Sequence, residues 1–234
     1  MAHVLKIWFM SFVRLFYPCR CAMCGSVLEE GEEIICMKCN MDMPRTNFLL
    51  WADNPVERMF FGKVCLERAS SFLYYRKGSD LRNLLYKVKY KGYEELGKKM
   101  GRLIATEMAE SGFFGDMDVI VPVPLHPDRL KLRGYNQSEL IARGISDVTG
   151  IPVDVSSVSR IRHTETQTHK SAHERWQNVN GIFYLHCPKR FIGKHVLIVD
   201  DVLTTGATTT ACADIFGEVE DVRISVLTLA VADS

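Results

Sequence analysis

The chain has 234 residues, of which 47% are hydrophobic and 24% are charged, a composition typical of ordinary globular proteins. This composition excludes a disordered chain, a collagen-like repeat and a polytopic membrane protein. The 29 basic residues nearly balance the 28 acidic ones, so a wholly basic, histone-like protein is also excluded. Local patches of one charge sign remain compatible with this balance. The length suits one large domain, or one domain and an additional module.

The first predicted element is an amphipathic helix over residues 2–16, where apolar residues are interrupted by Lys6 and Arg14. The segment is too short and too charged for a transmembrane helix, and no small-residue cleavage site follows it. We expect the helix to pack on its own protein. A helix that binds a membrane surface or a partner is the alternative.

Clustered cysteines follow this helix, with five of the eight lying between positions 19 and 39. Four of them form two pairs with two residues inside each pair, a spacing that suits tetrahedral zinc better than two disulfides. Four protein ligands leave no open position on the metal, so the predicted site is structural. Thiolate clustering without an export signal also predicts a cytoplasmic protein. The predicted ligands are Cys21, Cys24, Cys36 and Cys39.

The residues around the cysteine pairs give further expectations. Gly25 and Asn40 follow the two pairs, and both residue types tolerate the left-handed turn that directs amide groups at thiolates. Cys19 is a candidate spare ligand. Cys65 and Cys212 have apolar neighbours in the sequence and are expected to be small core residues.

A connector, a strand and two helices are predicted next. The connector covers residues 43–55, a strand or hairpin covers 64–75, and the helices cover 81–91 and 94–110. Residues 76–102 include nine basic and three acidic side chains. A solvated helical face explains this excess, and a surface that binds an anion is the alternative.

The second half of the chain alternates short apolar runs with helical patterns, and this alternation predicts an α/β protein with a parallel sheet. Ligands bind such sheets at the carboxyl ends of the strands. The predicted strands cover residues 118–124, 153–158, 195–199 and 222–231, and the predicted helices cover 136–148 and 208–216.

The most informative segment follows the strand at 195–199, where two adjacent carboxylates precede a loop rich in threonine. Backbone amides at the start of the next helix bind a phosphate, and a glycine permits its close approach. The carboxylates suit sugar hydroxyls and a hydrated magnesium ion. A ribose 5-phosphate therefore fits the whole segment, and the Walker and dinucleotide-binding motifs are absent. The candidate binding residues are Asp200, Asp201, Thr204, Thr205, Gly206, Ala207 and Thr208.

This segment closely resembles the phosphoribosyl pyrophosphate motif of type I phosphoribosyltransferases. Other motifs extend the resemblance over nearly the whole chain, to the ComF family of competence and GntX-like proteins. They are the cysteine pairs, KYKG at 89–92, VPVP at 121–124, RGYNQ at 133–137, and the spaced residues Arg162, Thr164, Gln167, Arg175 and Asn178.

The resemblance implies a type I phosphoribosyltransferase-like parallel sheet with flanking helices, plus an N-terminal zinc-knuckle module. The implied division is a zinc-binding module at 1–55 and a phosphoribosyltransferase-like domain at 56–234. Val123 and Pro124 would lie on the pyrophosphate side. Residues 162–178 are polar, lack periodicity and resemble a loop that closes over the substrate. The implied catalytic residues are Asp200, Asp201 and Arg162, and Arg175 would join Arg162 at the pyrophosphate.

We consider two classes of function. The first, which the resemblance implies, is an enzyme that binds phosphoribosyl pyrophosphate with magnesium and transfers phosphoribosyl to an unidentified acceptor, with a role in DNA uptake alongside DNA-uptake proteins. The second is a factor that binds single-stranded DNA and keeps the pocket without turnover, because cations alternate with aromatic residues at 87–93. A scaffold docked through the N-terminal helix is a third possibility.

Overall fold

The computed structural model describes residues 18–76, 79, 81–90, 93–160 and 182–232. Four parallel strands form the main sheet, and two short antiparallel strands form a separate hairpin. The sheet confirms the predicted α/β class. Its strands are β1 Arg68–Tyr75, β2 Val119–Pro122, β5 His195–Leu203 and β6 Arg223–Ala232, and the hairpin consists of β3 Val158–Arg160 and β4 Phe183–Leu185.

Seven α-helices are found in the part of the chain that the structure describes. They are α1 Met37–Met41, α2 Pro55–Arg58, α3 Leu81–Val88, α4 Glu94–Met108, α5 Pro127–Arg133, α6 Gln137–Thr149 and α7 Ala207–Asp214. Short 3-10 helices cover Phe48–Leu50, Ala109–Ser111 and Pro188–Phe191. None of the described helices is long and apolar enough to cross a bilayer.

The strand order β1-β6-β5-β2 places β5 in the interior of the sheet. Every residue of β5 except Val202 is buried, as expected for a parallel strand covered on both faces. Leu197 packs on the side of α4 and α6, whereas its neighbour Ile198 packs in the second core on the side of α7. Because β2 and β5 run parallel with Pro122 opposite Val199, the loops that follow both strands meet at one edge of the sheet.

The cysteine segment packs against the rest of the molecule. Cys21 and Met23 are buried in the same apolar cluster as Leu84 and Leu85 of α3. The Asn83 side chain also donates a hydrogen bond to the Met23 carbonyl oxygen at 3.1 Å. The cysteine segment and α3 therefore share one core, and the boundary at residue 55 stays a prediction.

Helix α6 crosses α4 at very close range because glycines lie at the contact. A Cβ atom built at Gly144 would lie 1.9 Å from the Lys98 carbonyl oxygen, and one at Gly101 would lie 2.1 Å from the Ile141 carbonyl oxygen. Only glycine permits this approach of the two backbones. The crossing fixes the position of α6, whose first turn faces the candidate site.

We expect Gly97→Ala to destabilise the protein by about 2 kcal/mol, because overpacking a tight contact costs roughly this much. The added Cβ would lie 2.8 Å from the Leu140 Cβ, and one of the helices must shift to accommodate it. Urea denaturation measures the loss. Gly115→Ala is the control, since its Cβ would lie 3.5 Å from the nearest atom. Equal stability of the two variants would contradict this account of the crossing.

Several local predictions were wrong. Residues 153–158 do not form a full strand: Val153 makes a single parallel bridge with Ile120, and Val158 belongs to the hairpin. Asn40 lies inside α1 rather than in a left-handed turn. Cys65 is exposed, whereas Cys212 is buried as expected. The predicted N-terminal helix at 2–16 lies outside the described residues.

Candidate phosphoribosyl and metal sites

The candidate site is a cavity of about 180 Å³ at the carboxyl ends of β2 and β5. Its walls are the loop after β2, the first turn of α6 and the segment from Asp200 to Thr209. All seven residues predicted to bind ribose 5-phosphate line this cavity: Asp200, Asp201, Thr204, Thr205, Gly206, Ala207 and Thr208.

The threonine-rich loop leads directly into helix α7. Gly206 is the residue before the helix and has a φ of 77°, a left-handed conformation that glycine adopts without strain. Gly206 has no side chain to cap the helix, and the Ala207 amide donates a long hydrogen bond of 3.4 Å to the Thr205 Oγ1. Thr204 and Thr205 are exposed. Unpaired amides of a first helical turn carry partial positive charge, so the loop offers donors to an anion.

Asp200 is buried at the end of the apolar part of β5, with 9% of its surface exposed. Its Oδ1 accepts hydrogen bonds from the Ser138 hydroxyl at 2.9 Å and from the Asp201 amide at 2.8 Å. Burial raises the pKa of Asp200 to about 7, and the charge of Asp201 adds to this rise. The negative charge of the adjacent Asp201 carboxylate disfavours ionisation of Asp200.

Asp201 makes an ion pair with Lys89, whose Nζ lies 3.0 Å from the Asp201 Oδ2. The other oxygen, Oδ1, accepts a hydrogen bond from the Val202 amide at 2.7 Å. Oδ2 is buried and lacks a partner with hydrogen-bond geometry among the described residues. The ion-pair distance and the missing hydrogen bond are compatible, because the lysine is close but poorly oriented. This oxygen therefore keeps unused acceptor capacity beside the loop.

Sequence reasoning missed the residues that hold the site together, although it noted the RGYNQ motif that contains two of them. The Tyr135 hydroxyl donates to one of two carbonyl oxygens within reach, at 2.9 Å on Val88 and 2.5 Å on Tyr90. Asn136 donates from its side chain to the Val123 carbonyl oxygen at 3.0 Å and caps α6. Together with Ser138, these residues connect α3, the loop after β2 and Asp200.

The placement of Val123 and Pro124 on the pyrophosphate side stays a prediction. Val123 and Pro124 line the cavity, but the Val123 amide already donates to the Val199 carbonyl oxygen at 2.9 Å, and proline has no amide hydrogen. Neither residue therefore supplies a backbone donor. Arg129 and Arg160 also line the cavity and were not predicted. The predicted Arg162 and Arg175 lie outside the described residues.

The four predicted zinc ligands come together in the structure. The sulfur atoms of Cys21, Cys24, Cys36 and Cys39 all lie within 4.8 Å of one another. The Cys24 and Cys36 sulfurs are 3.8 Å apart, close to the spacing that tetrahedral zinc with bonds of about 2.3 Å imposes. A disulfide requires about 2.05 Å. The geometry fits one zinc ion and does not fit two disulfides.

The environment of the cluster also fits thiolate ligands. Hydrogen bonds from the side chain and backbone of Ser26 lower the pKa of the Cys24 thiol to about 6. Burial raises the pKa of Cys39, so that thiol needs a metal cation to ionise. Gly25 has a φ of 77°, which confirms the predicted left-handed turn after the first pair. Cys19 is exposed and is not part of the cluster.

An aromatic and basic surface lies at the end of α3. Tyr86 and Tyr90 stack with their ring centroids 4.1 Å apart, and both are exposed. The Lys87 Nζ lies 5.8 Å from the centroid of the exposed Tyr93 ring. This surface is next in sequence to Lys89, which reaches the candidate site.

Comparison with known proteins agrees with this arrangement. Residues 133–232 match the family profile described as "Phosphoribosyl transferase domain". This segment carries the RGYNQ motif, both aspartates and the threonine-rich loop. Residues 133–232 are therefore similar to phosphoribosyl transferase domains, and the parallel sheet with flanking helices has the α/β architecture that the sequence predicted.

The curated relatives are proteins of DNA utilisation and competence. The chain is 34% identical to the DNA utilization protein YhgH of Salmonella typhi over 56% of this chain and 59% of the relative. It is 37% identical to Competence protein F of Haemophilus influenzae over 46% of this chain and 48% of the relative. The matches thus span about half of each relative, and they confirm the resemblance to competence proteins.

Among solved structures, the glutamine phosphoribosylpyrophosphate amidotransferase of B. subtilis is 22% identical, with a TM-score of 0.42. The match covers 61% of this chain and 30% of that one.

Proposed function

We propose that the protein binds phosphoribosyl pyrophosphate with magnesium at the end of β5. The observation that carries this proposal is Asp201 Oδ2, a buried carboxylate oxygen that is ion-paired with Lys89 but accepts no hydrogen bond in the described structure, beside a loop that suits a phosphate. A carboxylate oxygen can accept hydrogen bonds in addition to its ion pair. A sugar hydroxyl would use this remaining acceptor capacity of Asp201, and the backbone amides of residues 205, 206 and 208 would be donors for the 5-phosphate.

The carboxylate pair also fits a magnesium ion carried by the pyrophosphate. Magnesium prefers oxygen ligands, keeps several waters and binds through few protein carboxylates together with substrate phosphates. Asp200 and Asp201 are adjacent and buried, and a hydrated ion would contact them through its waters. When bound, the ion would neutralise charge on the leaving pyrophosphate.

We propose that the bound ligand donates its phosphoribosyl group to an acceptor. The acceptor's electron pair forms a bond to the anomeric carbon, while pyrophosphate leaves with the electrons of its C–O bond. The sugar develops oxocarbenium character, as in glycoside cleavage. Asp200 and Asp201 would hold the ribose in position, and the arginines of the cavity would stabilise the departing charge. The acceptor and the base that takes its proton stay unassigned.

We expect saturating phosphoribosyl pyrophosphate and magnesium to raise the Tm by about 5–10 °C, because ligand at 100 times its Kd adds about 2.7 kcal/mol. Asp201→Asn should remove most of this shift, since an amide cannot replace a buried anionic acceptor. Differential scanning calorimetry with and without magnesium measures the effect. Asp214→Asn, at the exposed end of α7, is the matched control. A wild-type Tm that does not change at saturation would refute the proposal.

The names of the relatives support a role in handling incoming DNA, which we propose as the setting of this activity. The second candidate function is binding of single-stranded DNA without turnover, which the stacked pair Tyr86 and Tyr90 favours. Exposed aromatic rings stack on bases, and neighbouring lysines pair with phosphates.

Two measurements separate these functions. Pyrophosphate release in the presence of an acceptor is expected from the transferase alone. Single-strand binding that falls steeply with salt, and that weakens in a Tyr86→Ala Tyr90→Ala double variant, is expected from the DNA-binding factor. Ligand binding without pyrophosphate release from any acceptor would favour the second function over the first.

A further inference from the structure

Lys89 places a positively charged side chain at the candidate site. Its Nζ lies 3.0 Å from Asp201 Oδ2, and its side chain is 30% exposed while that of Asp201 is 11% exposed. The carboxylate at this position is therefore neutralised from inside the protein. A divalent cation that approaches the same oxygen must displace the lysine or bind beside a positive charge.

Two contacts hold the backbone around Lys89. The Tyr135 hydroxyl lies within hydrogen-bond distance of the carbonyl oxygens on either side of it, those of Val88 and Tyr90. The Val88 side chain is buried in the main apolar cluster. These contacts hold the backbone from which the Lys89 side chain reaches Asp201.

The positive charge of Lys89 affects how strongly this site attracts a metal ion. Opposite charges at the distance between Lys89 and Asp201 attract each other more strongly in a partly buried site than in bulk water. Without Lys89, two adjacent buried carboxylates would attract a free divalent cation. With Lys89, the pair carries less net negative charge, and a metal ion gains less by binding there alone.

We propose that Lys89 prevents free divalent metal ions from binding at this site before the phosphorylated ligand does, so that magnesium enters only together with that ligand. This inference rests on the proposed function, which supplies the ligand. When a sugar hydroxyl takes over Asp201 Oδ2, the lysine is free to pair with the ligand's phosphates, and it changes from a partner of the protein to a partner of the ligand. Tyr135 acts as a positioning residue in this exchange.

The test measures metal binding to the protein without any nucleotide or sugar, so it does not depend on activity. Mn²⁺ is the probe because its free ion is counted directly by electron paramagnetic resonance. We expect wild-type protein to bind Mn²⁺ negligibly at millimolar concentration, and Lys89→Met to bind one ion at least tenfold more tightly. Adding Asp201→Asn to Lys89→Met should abolish the gain, which would place the ion at this carboxylate.

Three controls define the result. Lys87→Met removes a lysine of α3, two residues before Lys89, whose Nζ lies near the Tyr93 ring instead, and it should leave Mn²⁺ binding at the wild-type level. Lys89→Arg keeps a cation and should also exclude the metal. Tyr135→Phe should permit intermediate Mn²⁺ binding, because Lys89 loses its support. If the methionine variant does not fold, Lys89→Gln repeats the test with a polar side chain.

The outcomes separate this inference from the proposed function. Equal Mn²⁺ affinity of wild type and Lys89→Met would overturn the role of Lys89, even if phosphoribosyl pyrophosphate raises the Tm. Tighter Mn²⁺ binding by the variant would support that exclusion of free metal, even if phosphoribosyl pyrophosphate has no effect. In that second case the proposed ligand is wrong, and so is the entry of metal together with it.

Discussion

Gly206→Val is expected to weaken phosphoribosyl pyrophosphate binding by about 100-fold or more. Gly206 has a φ of 77°, and a β-branched residue is strained there by about 1–3 kcal/mol. A Cβ at this position would also lie 3.7 Å from the Phe60 ring, so the branched methyl groups of valine would press on that ring. Movement of the loop would relieve the backbone strain and the contact with the ring. The amides that we expect to bind the phosphate would then no longer point at the same place.

Isothermal titration calorimetry measures this loss, and Gly150→Val is its matched control. Gly150 has a similar φ of 74° at the end of α6, with no atom within 4 Å of an added Cβ. Valine there should lower stability in the same way but leave the affinity unchanged. If Gly206→Val binds the ligand as tightly as the wild type does, residues 204–208 are not the phosphate-binding loop.

Removal of zinc is expected to have the largest effect on stability. Structural zinc binds with about 10–16 kcal/mol in small zinc-binding modules, and this free energy is coupled to folding. Two of the ligands, Cys21 and Cys39, are buried in the main apolar cluster. Without the metal, their segment should unfold and expose the side of α3 that it covers. We expect one zinc per chain by elemental analysis and a Tm loss above 10 °C after chelation.

Cys21→Ser should reproduce the effect of the chelator, because it removes one ligand and leaves a hydroxyl that does not ionise. Cys19→Ser is its control, since Cys19 is exposed, two residues away and outside the cluster. A purified protein without zinc whose four clustered thiols all react freely with a thiol reagent would contradict the site.

Much of this molecule could be predicted from sequence patterns that span only a few neighbouring residues. The strand before Asp200 and the loop after it are encoded by consecutive residues, so the segment that we propose for phosphate binding was visible in the sequence. The cysteines of the proposed zinc site are equally local, because each pair has a fixed spacing. In both cases the residue types and their separation carry the chemistry directly.

Contacts between distant parts of the chain could not be predicted in this way. Nothing in the spacing of residues shows that Lys89 reaches Asp201, or that Ser138 donates to Asp200, since these pairs meet only after the sheet forms. The hairpin that pairs Val158 with Leu185 was also missed, because its strands pair across a long separation in the chain and are only three residues long. The left-handed turn predicted at Asn40 was wrong because helix α1 continues through this residue.

Helix α3 connects the proposed zinc site with the proposed phosphoribosyl site, so metal binding and ligand binding can influence each other. One face of it contacts the cysteine segment through Asn83 and Met23, and Lys89 just beyond its last residue reaches Asp201. Thermodynamic linkage between two sites is reciprocal. If the metal stabilises the orientation of α3 that the phosphoribosyl site requires, then occupancy of that site must strengthen zinc binding by the same coupling free energy. The protein would then hold its metal most firmly while its pocket is filled.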